Sequence, residues 1–268
     1  MLIIMRVASV QFNASKSKDE NLKKILKYIE YASKLGIELI VFPEYSMFFP
    51  ISYESRKFAE SIDGKFINEI KCYAKNFGIN VVVNISEVSN KPNDDRVYDT
   101  SVFLSRDGEI LSIYRKTHLF DAFNIRESDH IIPGDYLVKP IPLDEFNVGL
   151  LVCYDLRFPE AARTLSLNGC TLICVSSAWY SGVMKEIHLL TMILARAIEN
   201  GVFIVMANQT QPRFCGRSCI VDPYGVIMAD AGERECIIYT DISIDRLKEV
   251  RNNLPLLSQR RPELYKII

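Results

Sequence analysis

The sequence predicts an α/β protein with layers of helices outside packed sheets of mixed strand direction. Three observations lead there. Short continuous apolar runs alternate with helix-period segments along most of the chain, the pattern of parallel strands joined by crossover helices. These runs are apolar on both faces, so helices must cover them. Two turn signals, Arg106-Asp107-Gly108 and Pro223-Tyr224-Gly225, interrupt the alternation with hairpins and add antiparallel strands.

Taken in order, Met5 to Phe12 reads as a buried strand. Lys18 to Leu35 reads as a helix with Leu22, Ile25, Leu26, Ile29, Ala32 and Leu35 on one face and Gly36 at its end. Ile37 to Phe42 is a short apolar strand, Phe66 to Phe77 a helix closed by Gly78, and Ile79 to Ile85 a third strand. Val97 to Leu104 and Glu109 to Tyr114 form the first hairpin. Alternation resumes with strand 147–153, helix 159–168, strand 171–176, helix 185–199 and strand 202–207. The second hairpin pairs Ser218 to Asp222 with Val226 to Ala229, and strand 235–241 and helix 243–252 follow. The segment from Asn253 to Ile268, with Pro255 and Pro262, reads as an irregular tail on a surface or a partner subunit. No linker composition divides the chain, so residues 1–268 are expected to form a single domain, a length that one large α/β domain accommodates.

Thirty-two basic against 33 acidic residues leave a net charge of −1, which gives no field for nucleic acid or an anionic membrane. A small neutral or mixed-charge ligand is the expected partner. No apolar stretch approaches the roughly 20 residues that span a bilayer. Met1-Leu2-Ile3-Ile4-Met5 runs into Arg6 without a signal-peptide pattern. A cytoplasmic protein is expected. Seven cysteines, at 72, 153, 170, 174, 215, 219 and 236, are odd in number and sit mostly in apolar segments, which suits a reducing compartment. The pairs Cys170/Cys174 and Cys215/Cys219 have only His118, His130 and His188 to complete a metal site. Packed thiols account for them better, and no metal is expected.

Cys153 follows the apolar run Val148-Gly149-Leu150-Leu151-Val152 and precedes Tyr154-Asp155-Leu156-Arg157-Phe158-Pro159-Glu160. A lone strand cysteine is usually a small buried hydrophobe. A purely structural strand, however, has no need of so charged and aromatic an exit. Sheets of this class bind ligands at the ends of their strands. Two further apolar segments end in polar residues, Leu39 to Glu44 and Leu111 to His118. Side by side, the three strands would bring Glu44, Lys116 and Cys153 to one edge. A thiol attacking an amide needs a base, a cation or N–H donors for the oxyanion, and an acid for the leaving nitrogen. A neighbouring ammonium also favours the thiolate.

Phe-Pro-Glu (42–44), Tyr-Arg-Lys-Thr-His-Leu-Phe (114–120), Glu-Ser-Asp (127–129) with Pro-Gly-Asp (133–135), and Cys-Tyr-Asp-Leu-Arg-Phe-Pro-Glu (153–160) occur in this order. So do Ala195 to Asn200, Gly216 to Ser218, Val221 to Gly225 and Arg260 to Tyr265. Through these blocks the chain resembles the nitrilase superfamily of carbon–nitrogen hydrolases over essentially its whole length. The resemblance implies a four-layer α-β-β-α sandwich with two mixed sheets and no cofactor. It also implies a homodimer or larger assembly through the helix after Cys153.

Carried over residue by residue, it makes Cys153 the nucleophile, Glu44 the general base and acid, and Lys116 the oxyanion stabiliser. The backbone N–H of Tyr154 would be the second oxyanion donor, and Glu127 a substrate-positioning carboxylate that can shuttle a proton. Trp179 and Tyr180 follow strand 171–176 and either wall the pocket or belong to the core. Arg157 is expected to pair with Asp155 or Glu160, and His188 to be structural. His118 would share the lysine's face if its strand continued, but the resemblance supplies Glu44 as the base.

The expected activity is hydrolysis of a small carboxamide with release of ammonia, through a thioester on Cys153. The blocks at 153–160 and 260–265 look most similar to the ω-amidase and deaminated-glutathione amidase branches, which take ω-amides of keto or dicarboxylic acids. The alternative is an N-carbamoyl amino acid or amine hydrolase, with nitrile hydrolysis behind it. Ammonia-supplying fused domains and membrane acyltransferases do not fit 268 residues. A non-catalytic binding protein would have no need to retain Glu44, Lys116, Glu127 and Cys153 together.

Overall fold

The computed structural model describes residues 4–52 and 55–265. Ile4–Gln11 (β1), Lys18–Lys34 (α1), Leu39–Val41 (β2), Lys65–Phe77 (α2) and Asn80–Val88 (β3) open the chain as a βαβαβ unit. Ser17 caps α1 by accepting from the Glu20 N–H, with Asp19 and Glu20 against the positive end of the helix. Leu22, Ile25, Ile29 and Ala32 form its buried stripe. Gly78, at φ 64°, supplies the left-handed residue that ends α2. Val97–Leu104 (β4) and Ile110–Arg115 (β5) are the expected hairpin. The chain then makes a two-strand ribbon, Asp121–Ala122 (β6) with Ile125–Arg126 (β7).

The second half runs Ile141–Leu143 (β8), Phe146–Val152 (β9), Pro159–Leu167 (α3), Leu172–Ser177 (β10), Lys185–Asn200 (α4) and Phe203–Asn208 (β11). Cys219–Val221 (β12) and Ile227–Asp230 (β13) form the second hairpin, and Cys236–Ser243 (β14) and Ile244–Asn253 (α5) follow. One sheet has the order β14-β1-β2-β3-β4-β5 and the other β13-β12-β11-β10-β9-β8. Each has a parallel centre, β1-β2-β3 or β9-β10-β11, flanked by antiparallel strands. Both sheets are therefore mixed, as the hairpin signals predict.

Strand alternation decides the layers. Val7, Leu39, Val41 and Val82 share a core with β9 to β11, whereas Ala8, Val10, Ile40, Val81 and Val83 pack against α1 and α2. Helices α3 and α4 cover the far side of the second sheet, through Ala161, Leu165, Leu189 and Ile193. The order is α-β-β-α. Buried side chains lace the two sheets together: Ser9 Oγ donates to Met206 O at 2.8 Å and Ser176 Oγ to Phe42 O at 2.9 Å.

Several boundaries differ from expectation. The strand expected over 37–42 contracts to Leu39–Val41, although Phe42 N–H still donates to Val82 O at 2.9 Å. β8 and the β6–β7 ribbon were not predicted, being too short to show a period. The expected tail begins as helix α5 through Asn253 and ends in a single 3₁₀ turn at Pro262–Leu264. Its last residues, 266–268, lie outside the described part.

Candidate active site

The three strands that lead to Glu44, Lys116 and Cys153 do not lie side by side, which corrects the sequence expectation. β2 and β5 are in one sheet with β3 and β4 between them, and β9 belongs to the other. The residues meet across the sandwich, because the chain after β2 crosses to the end of β10. Glu44 N–H donates to Ser177 O at 3.2 Å, and Gln209 Nε2 donates to Glu44 O at 2.8 Å. These bonds carry the glutamate from the first sheet onto the second.

Cys153 lies one residue beyond β9, at φ 41°, and opens the 3₁₀ turn Cys153–Arg157. A left-handed non-glycine residue is strained and needs surrounding contacts to hold it. Asp155 supplies them. Its carboxylate accepts from Val152 N–H at 2.9 Å, Tyr114 hydroxyl at 2.8 Å, and His118 N–H at 3.1 Å. His118 Nδ1 also lies 2.7 Å from it, with the ring stacked on Phe158 at 3.8 Å. His118 is thus a support of the turn rather than a neighbour of Lys116, since β5 ends at Arg115. A turn of this kind leaves its first N–H groups without partners inside the turn, and Tyr154 carries one of them.

Lys116 is only 1% exposed, and its Nζ lies 2.7 Å from Glu44 Oε1, 2.8 Å from Glu127 Oε1 and 3.6 Å from Asp99 Oδ2. Burial opposes its charge, but the surrounding carboxyls outweigh it and hold the ammonium well above the ordinary lysine range. Burial pushes the Cys153 thiol well up, and the charge of Glu44 adds to this. Lys116 and hydrogen bonds from Ala178 and Ser177 pull the other way. The resting group is therefore a thiol, not the thiolate that a neighbouring ammonium alone would favour. A base is needed at the moment of attack.

Glu127 has both oxygens engaged. Oε1 accepts from Lys116 and from the Tyr45 hydroxyl, and Oε2 accepts from Phe120 N–H at 2.6 Å. It holds the lysine as much as it faces the cavity. Glu44, Asp99 and Glu127 could in principle ligate a metal ion, but the Lys116 ammonium already sits among them. Cys170, Cys174, Cys215 and Cys219 are buried free thiols, as the packing argument predicts.

A cavity of about 360 Å³ opens over this cluster. Tyr45, Phe120, Tyr154, Trp179 and Tyr180 line it. Trp179 is nonetheless buried and donates its indole N–H to Lys185 O at 2.8 Å, so the wall and core readings both hold for it. Arg157 has no carboxylate partner among the described residues, against the expected pairing with Asp155 or Glu160. Its guanidinium lies 4.4 Å from the Trp179 ring centre and 5.8 Å from that of Tyr154, facing the cavity. Lys185 lies over Phe123 at 3.7 Å and Arg213 over Phe49 at 5.5 Å, and neither has a carboxylate partner among the described residues. Sequence reasoning missed Lys185, Arg213, Tyr45 and Asp99. Asp99 had a signal, since an aspartate inside the run Val97-Tyr98-Asp99-Thr100-Ser101 is out of place in a buried strand unless it is partnered. His188 is on α4 beyond the cavity, consistent with a structural residue.

The sequence model of the carbon–nitrogen hydrolase family matches residues 6–252. The chain belongs to this family. It is an enzyme of the class that acts on carbon–nitrogen bonds other than peptide bonds. The chain is 31% identical to a deaminated glutathione amidase of Escherichia coli O157:H7 over 96% of its own length and 97% of that protein. It is 32% identical to an omega-amidase of Xenopus tropicalis over 98% of this chain and 97% of that one. Among solved structures, a branch 10 member of the nitrilase superfamily from Saccharomyces cerevisiae superposes with a TM-score of 0.86 at 30% identity. That match covers 96% of this chain and 97% of that one. Among the described residues no helix is long and apolar enough to cross a membrane.

Proposed function

We propose that this carbon–nitrogen hydrolase cleaves a small carboxamide whose acyl part carries a carboxylate, such as an ω-amide of a keto or dicarboxylic acid, and releases ammonia. One observation carries the reading: Arg157, Lys185 and Arg213, three cations with no carboxylate partner among the described residues, line the cavity above Cys153, Glu44 and Lys116. Cations held in a partly desolvated site favour an anionic ligand, and arginine can grip a carboxylate with two parallel bonds. An N-carbamoyl amino acid also carries a carboxylate and is the alternative substrate.

In the proposed mechanism Glu44 takes the Cys153 proton as the sulfur attacks the amide carbon. Lys116 and the Tyr154 N–H hold the oxygen that becomes negative. The C–N bond breaks as Glu44 gives the proton to the leaving nitrogen, which departs as ammonia. Water, deprotonated by the same carboxylate, attacks the thioester, and the acid leaves as Cys153 regains its proton. Tyr180 walls the acyl site, and Glu127 keeps Lys116 in place.

The test is ammonia release from keto-acid ω-amides, deaminated glutathione, neutral aliphatic amides, N-carbamoyl amino acids and nitriles, with Cys153→Ala as the blank. Cys153-dependent turnover of the anionic amides supports the reading. Preference for neutral amides, or for nitriles, overturns it.

We further propose that the protein is a cytoplasmic homodimer. Exposed Leu167, Ile198 and Tyr265 on the α3–α4 side support a second copy, and free thiols support a reducing compartment. Sedimentation velocity at micromolar concentration should give the dimer mass; a monomer would contradict it.

A further inference from the structure

Lys116 is surrounded by more acid than it can neutralise. Glu44, Asp99 and Glu127 are all buried and offer oxygens within 4.8 Å of one another. Glu44 and Glu127 accept hydrogen bonds from the ammonium, whereas Asp99 stands off at 3.6 Å. Three ionised carboxyls around one ammonium would bury uncompensated charge, which protein interiors avoid by keeping a group neutral.

The hydrogen bonds single out which group. Glu127 takes three donors, from Lys116, Tyr45 and Phe120. Glu44 takes the shorter lysine contact. Asp99 Oδ1 accepts from Asn84 Nδ2 at 2.5 Å, but its Oδ2 is buried and accepts from no donor among the described residues. An orphaned carboxyl oxygen beside another carboxylate is accounted for if that oxygen carries a proton and donates it. The groups facing Asp99 are Glu44, Lys116, Glu127 and the Tyr45 hydroxyl, and Lys116 in turn interacts with the Cys153 thiol. Burial and the Glu44 charge push the Asp99 carboxyl well above its ordinary range, and Lys116 opposes them.

We propose that Asp99 is a neutral carboxylic acid in the resting enzyme and donates its Oδ2–H to Glu44, positioning that carboxylate against the Cys153 thiol. The inference rests on the reading of Glu44 as the base. Asp99 keeps its own proton throughout: when Glu44 takes the thiol proton and later releases it, the Asp99 O–H bond neither forms nor breaks. Asp99 is a positioning residue, acting through Glu44. Its backbone joins the same arrangement, because Lys116 N–H donates to Asp99 O at 2.9 Å.

Infrared spectra of the protein without substrate at neutral pH test the protonation directly. The expected result is a protonated-carboxyl C=O band in the wild type that is absent in Asp99→Asn and displaced in Glu44→Gln. If Asp99→Asn does not fold, the displacement in Glu44→Gln still decides. A wild type without the band, or a band that ignores these substitutions, overturns the proposal.

Alkylation of Cys153 by iodoacetamide tests the positioning. Asp99→Ala should slow it about ten-fold, and Asp99→Asn, which keeps a donor of the same shape, should recover most of that loss. An Asn variant as slow as the Ala variant would mean that Asp99 acts as an anion. Neither readout needs a substrate, so failure to hydrolyse any amide would sink the proposed function without touching this result.

Discussion

At Cys153 two local fields oppose each other, since burial and Glu44 keep the proton on sulfur while Lys116 pulls it off. Removing the base should therefore cost more than removing one stabilising charge from the ground state. Glu44→Gln should slow iodoacetamide alkylation of Cys153 at neutral pH because no base takes the proton, even though loss of the Glu44 charge moves the thiol's titration downward; alkylation as fast as in the wild type would contradict the role of Glu44. Lys116→Met removes an oxyanion donor and should lower kcat about a hundred- to a thousand-fold. For Lys185→Met the expected loss is in binding: KM rises about ten-fold for carboxylate-bearing amides and less for neutral ones.

Asp99 gives a pH dependence whose sign follows from linkage. Its folded-state carboxyl holds a proton above the ordinary 3.8. Above that pH the folded chain binds more protons than the unfolded one, and stability falls as pH rises. Asparagine does not titrate, so the melting temperature of Asp99→Asn minus that of the wild type should grow as pH rises above about 4. A constant or shrinking difference would contradict the raised value. Glu44, Lys116 and Cys153 were legible as residues because each follows an apolar strand, and Glu127 through its place in the Glu-Ser-Asp block. Asp99 left only the sign of an aspartate inside a buried strand, and Tyr45 and Arg213 left none, since the residues they meet, Glu127 and Phe49, lie far along the chain.

At the scale of elements, the loops do the positioning and the strands fix where each loop starts. Lys116 sits just past β5, and the peptide that holds it belongs to the Pro-Gly-Asp segment: Gly134 N–H donates to Lys116 O at 2.8 Å. A Cβ on Gly134 would lie 2.3 Å from Arg115 O, a backbone atom that cannot swing aside. Gly134→Ala should lower stability by about 1–3 kcal/mol through forced backbone shifts. It should also reduce kcat, because the shift occurs one residue from the ammonium. Denaturant titration and ammonia release read the two effects separately; unchanged values in both would show that the loop tolerates the displacement. Most elements were predicted to within one or two residues from their periods. The misses, β6, β7 and β8, are two or three residues long, too short for any period to appear.

For the whole molecule, the two sheets are held in register by polar ties as well as by apolar contact. Tyr114, fully buried on β5, reaches across to Asp155 in the turn that carries Cys153. Tyr114→Phe keeps the ring and removes one donor from a buried carboxylate, so it should cost about 1–3 kcal/mol in equilibrium unfolding. No change would mean that Val152, Thr117 and His118 satisfy Asp155 alone. The sequence by itself determined the α/β alternation, the two hairpins, the position of Glu44, Lys116 and Cys153 after apolar strands, and the family resemblance, because these depend on short-range periods and ordered blocks. Only the tertiary structure decided that Glu44 and Lys116 come from one sheet and Cys153 from the other. It alone decided too that the resting sulfur is a thiol, that Arg157 faces the cavity, and that three carboxyls compete for one lysine. Those outcomes depend on distances between residues up to 165 positions apart and on the exclusion of water, and neither is written in any local stretch of the chain.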